Sequence, residues 1–165
     1  MPLVNLEWYE VSIAAQVGAR RQISSMSRGS VPNFSMKGTG WEEHTRGALG
    51  EMAVAKYLDL YWSGSVDTFA LADIGRDIQV RTTDKDTNRL IVRPVDDNEA
   101  CFVLARGRND HYDIVGWVFG LEAKRPEWSQ APGGRDSAYF VPDSALRPMT
   151  ELRAGIDSIK REKGS

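Results

Sequence analysis

The densest set of side chains able to do chemistry lies in residues 73–83, Asp-Ile-Gly-Arg-Asp-Ile-Gln-Val-Arg-Thr-Thr. Strand side chains alternate between faces, so Ile78 and Val80 are expected on one face and Asp77, Gln79 and Arg81 on the other. A carboxylate, an amide oxygen and a guanidinium then share one row, and Asp73 enters just before it across a turn at Gly75. Oxygen donors suit a hard divalent cation such as Mg²⁺, and a guanidinium suits a phosphate. Together they would serve a metal-dependent phosphodiesterase. Glu51 supplies a further carboxylate in the small-residue run around Gly47, Ala48 and Gly50. On the buried side of a helix it needs a partner to offset desolvation; on the exposed side it would pair with Lys56 or Arg46. His44 precedes it by seven residues, two helical turns, and so lies on nearly the same face. It is placed either to contact phosphate or shuttle a proton, or to serve the helix's first turn structurally.

The elements that must position these groups follow from periodicity. Residues 4–24 read as a helix, with Leu6, Tyr9, Ile13 and Val17 at helical spacing. Residues 25–39, rich in Ser, Gly, Pro and Asn, read as a long loop that either covers a substrate groove or is plain surface. Residues 42–58 form a second helix with an apolar stripe for a sheet, capped by Thr39 or Gly40 and with Glu42 and Glu43 at its positive end. A turn and a short strand are expected within residues 61–69. The strands 77–83 and 89–93 are expected to form a hairpin. Residues 101–105 make a continuous apolar strand of the kind found mid-sheet, and Cys101 within it reads as a small core residue. Strands at 113–119 and 138–142, a helical turn at 122–128 and a helix at 150–161 complete the chain. The fold class is α+β, a three-layer domain with a mostly antiparallel central sheet of five or six strands flanked by helices.

Composition narrows the function classes. The 165 residues suit one domain, and 41% hydrophobic with 27% charged residues is close to globular averages. No apolar run approaches the roughly 20 residues of a membrane helix, and residues 1–7 lack a signal-peptide layout, so a cytoplasmic protein without a membrane partner is expected. One cysteine excludes a disulfide framework and a cysteine-rich zinc site. No phosphate-binding glycine loop or Ser–His nucleophile pattern occurs. The net charge of −2 offers no global attraction for nucleic acid, so contact would use local basic surface: Arg20, Arg21 and Arg28, Arg106 and Arg108, or Lys124 and Arg125. Trp8, Trp62, Trp117 and Trp128 could stack bases, but core or core-edge positions suit them better.

The succession of Gly47-Ala-Leu-Gly-Glu51 on a helix, then Asp73, then Gln79-Val80-Arg81 on a strand resembles the PD-(D/E)XK nuclease superfamily. The chain is also similar to small phage and environmental proteins of that layout. With them it shares Trp41-x-x-His44 before the glutamate helix, Gly116-Trp117 after a late strand, and Tyr139-Phe-Val-Pro142 near the end. Two positions depart from the superfamily pattern, with Gln79 for the acid and Arg81 for the lysine. The resemblance implies a restriction-endonuclease-like core over 41–125, after an N-terminal helix and loop (1–40) and before a C-terminal strand and helix (126–165). It implies a Mg²⁺- or Mn²⁺-dependent DNA endonuclease, possible as a homodimer, in the host cytoplasm if phage-encoded. Asp73, Gln79, the Val80 carbonyl and Glu51 would hold the metal, and Arg81 the phosphate; Asp77 is the rival to Asp73. The alternative is a catalytically inactive accessory protein of that fold that binds nucleic acid or a host protein.

Overall fold

A computed structural model describes residues 1–29, 40–68 and 71–164. In chain order the elements are β1 (Leu3–Asn5), α1 (Trp8–Ser27), α2 (Gly40–Leu58), β2 (Ile78–Thr83), β3 (Leu90–Val92), β4 (Cys101–Arg108), β5 (His111–Phe119), α3 (Gly120–Ala123), β6 (Ser129–Gln130), β7 (Ala138–Val141) and α4 (Met149–Lys163). The chain is a mixed α+β protein with two sheets. A four-stranded sheet runs β1-β5-β4-β2, and a three-stranded sheet runs β3-β7-β6. In the larger sheet β1, β5 and β4 are antiparallel and β2 joins β4 in parallel, Ile78 opposite Cys101 and Arg81 opposite Leu104.

The apolar run at Cys101–Ala105 is buried because β4 has a hydrophobic layer on each face. Cys101, Val103 and Ala105 join Ile78, Val80 and the inner sides of α1 and α2 in one cluster, which Leu152 and Ile156 of α4 also meet. Phe102 and Leu104 join Leu90, Val92, Val118 and Val141 in a second cluster, beneath the smaller sheet. Alternation along one strand thus serves two layers at once. Helices α1, α2 and α4 lie on one face of the central sheet. The other face, expected to carry helices, is covered chiefly by β-structure.

Four expectations are corrected by this arrangement. Residues 77–83 and 89–93 do not form a hairpin: β2 pairs with β4, and β3 pairs with β7 in the other sheet. The outer edge of β2 is already occupied, since Ile74 and Ile78 exchange backbone hydrogen bonds of 3.1 and 3.3 Å around a turn at Gly75, whose φ of 61° suits glycine. The apolar faces of Leu90 and Val92 then bury over Phe102 and Leu104 instead. The first helix begins at Trp8 rather than at residue 4, because residues 3–5 add a strand to β5. Glu10 starts the helix by accepting the Glu7 N–H at 2.7 Å, an acidic group at the positive end. Residues 61–68 form no strand, and residue 69 lies outside the described residues. Of the long loop at 25–39, residues 25–27 continue α1, while residues 30–39, including the cap candidate Thr39, lie outside the described residues. Cys101 is buried, and burial, with the charge of Asp77, pushes its thiol up to about 11. Among the described residues, no helix is long and apolar enough to cross a membrane.

Candidate functional site

Helices α1 and α2 approach closely where Gly18 meets Thr45: a Cβ on Gly18 would lie 2.5 Å from the Thr45 Cα. Ala14 and Gly18 are the buried residues of α1, and Arg21 follows on the same stripe, three residues after Gly18. Arg21 therefore points into the helix pair, toward Glu51 of α2. Glu51 is 5% exposed, so its charge requires compensation. The Arg21 guanidinium supplies it as a fork, Nη1 to Oε1 at 2.7 Å and Nη2 to Oε2 at 2.9 Å, the bidentate geometry arginine favours. The Trp62 Nε1–H donates to Oε2 at 2.9 Å, and the Arg21 Nε–H binds the Ser65 carbonyl at 3.0 Å. Burial works against the charged guanidinium, but the bonds and charge of Glu51, with the charge of Asp73, hold its pKa above the ordinary arginine value. The two sequence alternatives for Glu51 are thus resolved in favour of burial. Lys56 pairs instead with Glu10, and Arg46 with Glu43.

Asp73 lies on the outer edge of β2, next to the Ile74–Ile78 bridge. Its Oδ2 accepts the Val80 N–H at 2.7 Å. The N–H and C=O of one strand residue face the same side, so the Val80 carbonyl lies on that edge as well. Burial and the charge of Glu51 push the Asp73 carboxyl up to about 6, outweighing the Val80 hydrogen bond and the charges of Arg81 and Arg21. The expected acids Glu51 and Asp73 are therefore brought into one electrostatic unit, with Arg21 as its internal cation.

The row Gln79–Arg81 behaves differently. Gln79 Nε2 donates to the Leu71 carbonyl at 3.3 Å. Arg81 lies over the Phe102 ring, 5.2 Å from its centre, and binds Asp96 at 3.1 Å and the Ile91 carbonyl at 3.3 Å. Its Nη1 has no hydrogen bond among the described residues. Asp77 is exposed in the turn, and its carbonyl accepts the Cys101 N–H at 2.7 Å. His44 is half-buried on α2, and burial and then the charge of Arg21 lower its pKa, which favours a neutral imidazole at pH 7.

The basic residues expected to meet nucleic acid separate into two kinds. Arg21 is committed to Glu51. The Lys124 Nζ clamps the turn before β4, donating to the carbonyls of Pro94 (3.0 Å) and Asp96 (2.5 Å) and to the Asn98 amide oxygen (2.7 Å). Arg20 and Arg125 are exposed, Arg125 lying 4.8 Å from the Trp128 ring centre.

The donors near Asp73 are all oxygens, the ligand type of Mg²⁺ or Mn²⁺. Asp73 and the Val80 carbonyl fit such an ion. Glu51 fits it only once the Arg21 fork opens. Among the described residues no group of three or more His, Cys, Asp or Glu side chains is placed to hold a metal ion, so backbone and amide oxygens would have to complete the shell. Sequence reasoning did not identify Arg21, Trp62 or Asp96 as partners within the site. The spacing of Ala14, Gly18 and Arg21 was the available signal, because small residues one turn apart mark the face where two helices meet. No protein-family model matches the chain, and no curated protein or solved structure matches it either.

Proposed function

We propose that this protein is a Mg²⁺-dependent DNA endonuclease of the PD-(D/E)XK type, with a restriction-endonuclease-like core. The observation that carries the proposal is the half-buried Asp73 carboxylate, held on the Val80 N–H at a strand edge and electrostatically coupled to the buried carboxylate of Glu51. Two acids concentrated in a desolvated place repel one another, and a divalent cation relieves that repulsion. Asp73 and the Val80 carbonyl would hold the ion, with Gln79 supplying a neutral oxygen once its amide turns from Leu71. Bound there, the ion would supply a Lewis acid and a water of lowered pKa.

The chain's own residues do the rest. Asp73, half-buried and held by the Val80 N–H, would place charge at a fixed point on the strand edge. Arg81, clamped by Asp96 and Phe102, offers its free Nη1 to a phosphate oxygen and stabilises charge developing there. Arginine keeps its proton throughout, so Arg81 binds and orients and does not act as the base.

The alternative is a nuclease-like protein that binds nucleic acid or a host protein without cutting. The closed Arg21–Glu51 fork favours it, because both Glu51 oxygens already face the Arg21 guanidinium, whose positive charge opposes a cation there. Plasmid and single-stranded DNA incubated with Mg²⁺ or Mn²⁺ distinguish the two. The hydrolase reading expects cutting that disappears in Asp73→Ala and falls strongly in Glu51→Ala. Cutting that survives both substitutions removes this site. DNA retention on a gel without cutting under either metal supports the alternative.

A further inference from the structure

Beyond the C-terminal end of β2, the first turn of α2, the segment 84–89, β3, β7 and the turn at Pro132–Gly134 enclose a cleft of about 920 Å³. That is at the upper end of the size of ligand pockets. Arg46, Arg81, Lys85, Arg89 and Arg135 line it. Arg46 is offset by Glu43 at 3.0 Å and Asp84 at 3.6 Å, and Arg81 by Asp96 at 3.1 Å. Lys85, Arg89 and Arg135 are exposed, and among the described residues none of them forms an ion pair within 4 Å. The lining sets Arg46, Arg81, Lys85, Arg89 and Arg135 against Glu42, Glu43 and Asp84, a positive balance in a chain of net charge −2. A cleft focuses such a field on an anion. Half-buried Phe140 and Ile91, opposed in the β3–β7 ladder, add an aromatic and an aliphatic surface to the wall.

We infer that this cleft binds a short stretch of single-stranded nucleic acid, with phosphates on Lys85, Arg89 and Arg135 and a base against Phe140. Cations that follow a backbone, with an aromatic ring beside them, are what an unpaired strand requires. A duplex keeps its bases stacked inside and offers none to Phe140. Arg81 lines the same cleft, so a strand seated there passes the guanidinium assigned above to phosphate. The inference deepens the phosphodiesterase reading by naming the form of its substrate, and it rests on that reading for the choice of nucleic acid among polyanions.

Fluorescence anisotropy of a labelled twelve-residue oligothymidylate in EDTA measures binding with hydrolysis switched off. The wild-type protein is expected to bind it at least tenfold more tightly than a duplex of equal length. Lys85→Gln/Arg89→Gln/Arg135→Gln removes three exposed, unpaired charges, so circular dichroism should stay unchanged while affinity falls at least tenfold. The slope of log K against log salt should drop by about 2, at roughly 0.7 per phosphate contact on a single strand. Phe140→Leu, confirmed folded by its melting curve, is expected to lose about fivefold or more, the lower end of base stacking on an aromatic ring. Unchanged binding by the triple variant, equal affinity for duplex, or no binding by the wild type overturns the inference. A protein that cuts plasmid but fails these tests loses this cleft alone. One that passes them but cuts nothing with metal loses only the hydrolase reading.

Discussion

Replacing Arg21 by methionine keeps the stem that packs between α1 and α2 and removes the guanidinium from Glu51. The Glu51 side chain is 7% exposed and that of Arg21 18%, so water screens the pair weakly. Removing one partner of a buried ion pair costs about 3–5 kcal/mol, because the other charge stays desolvated. A remaining contact limits that loss. The Trp62 N–H still holds one oxygen at 2.9 Å. The expected loss for Arg21→Met is therefore about 3 kcal/mol, large against the 5–15 kcal/mol typical of a domain yet small enough to leave a folded protein.

Urea unfolding followed by tryptophan fluorescence, with far-UV circular dichroism as the second probe of two-state behaviour, measures this. Glu51→Gln alone is expected to cost about 2 kcal/mol, since Asp73 remains near the guanidinium as a partial counter-charge. The double variant Arg21→Met/Glu51→Gln should lose roughly 2 kcal/mol less than the sum of the singles, because neither charge is then left alone. If the single losses add to within about 0.5 kcal/mol, the limit for independent sites, the fork does not hold these helices together. A loss below about 1 kcal/mol for Arg21→Met would likewise refute the buried-charge account.

The same geometry yields further expectations. The Asp73 carboxyl, raised from 3.8 to about 6, binds its proton more tightly folded than unfolded, so between those two values stability falls as pH rises. Asp73→Asn should therefore stabilise the metal-free protein at pH 7–8 by up to roughly 3 kcal/mol, and the gain should vanish near pH 4; an equal gain at both pH values contradicts it. Millimolar Mg²⁺ should raise the Tm of Arg21→Met by more than that of the wild type, as an ion takes up the role of the guanidinium, and should leave Asp73→Asn/Arg21→Met unmoved. Gly18→Ala places a Cβ 2.5 Å from the Thr45 Cα; overpacking of about 1–3 kcal/mol should outweigh the ~1 kcal/mol gained in helix propensity, for a net loss seen in urea. Lys124→Met should cost about 1–2 kcal/mol through three freed acceptors in the 94–98 turn and leave oligonucleotide affinity unchanged.

What was legible in the residues was what local burial decides. Periodicity located α2, β2, β4, β5, β7 and α4 to within a few residues, because each buries its own repeating face. Pairing was not legible, since it depends on which faces meet. Leu90 and Val92 are as suited to a hairpin with β2 as to a ladder with β7, and the decision came from Ile74 filling the β2 edge and from Phe102 and Leu104 needing a cover. β1 was absorbed into a helix because Leu6 and Tyr9 lie at helical spacing while Val4 and Leu6 also alternate.

For the site, the need was legible and the partner was not. A glutamate among Gly47, Ala48 and Gly50 calls for a cation, yet Lys56 and Arg46, its near neighbours on the helix, were the obvious candidates. Arg21, thirty residues away, answers instead, because Gly18 brings α1 against α2 at Thr45 and its stripe continues to position 21. That choice has a consequence for mechanism. A lysine or arginine on the same helix would have left Glu51 at the surface and open to solvent; a guanidinium from the facing helix encloses it beside Asp73. Two acids with an arginine between them hold their positions without a metal. On the proposed hydrolase reading, a divalent ion at Asp73 and the Val80 carbonyl would have to compete with a tethered cation for Glu51, so its affinity would be set as much by how readily Arg21 yields as by the ligands themselves.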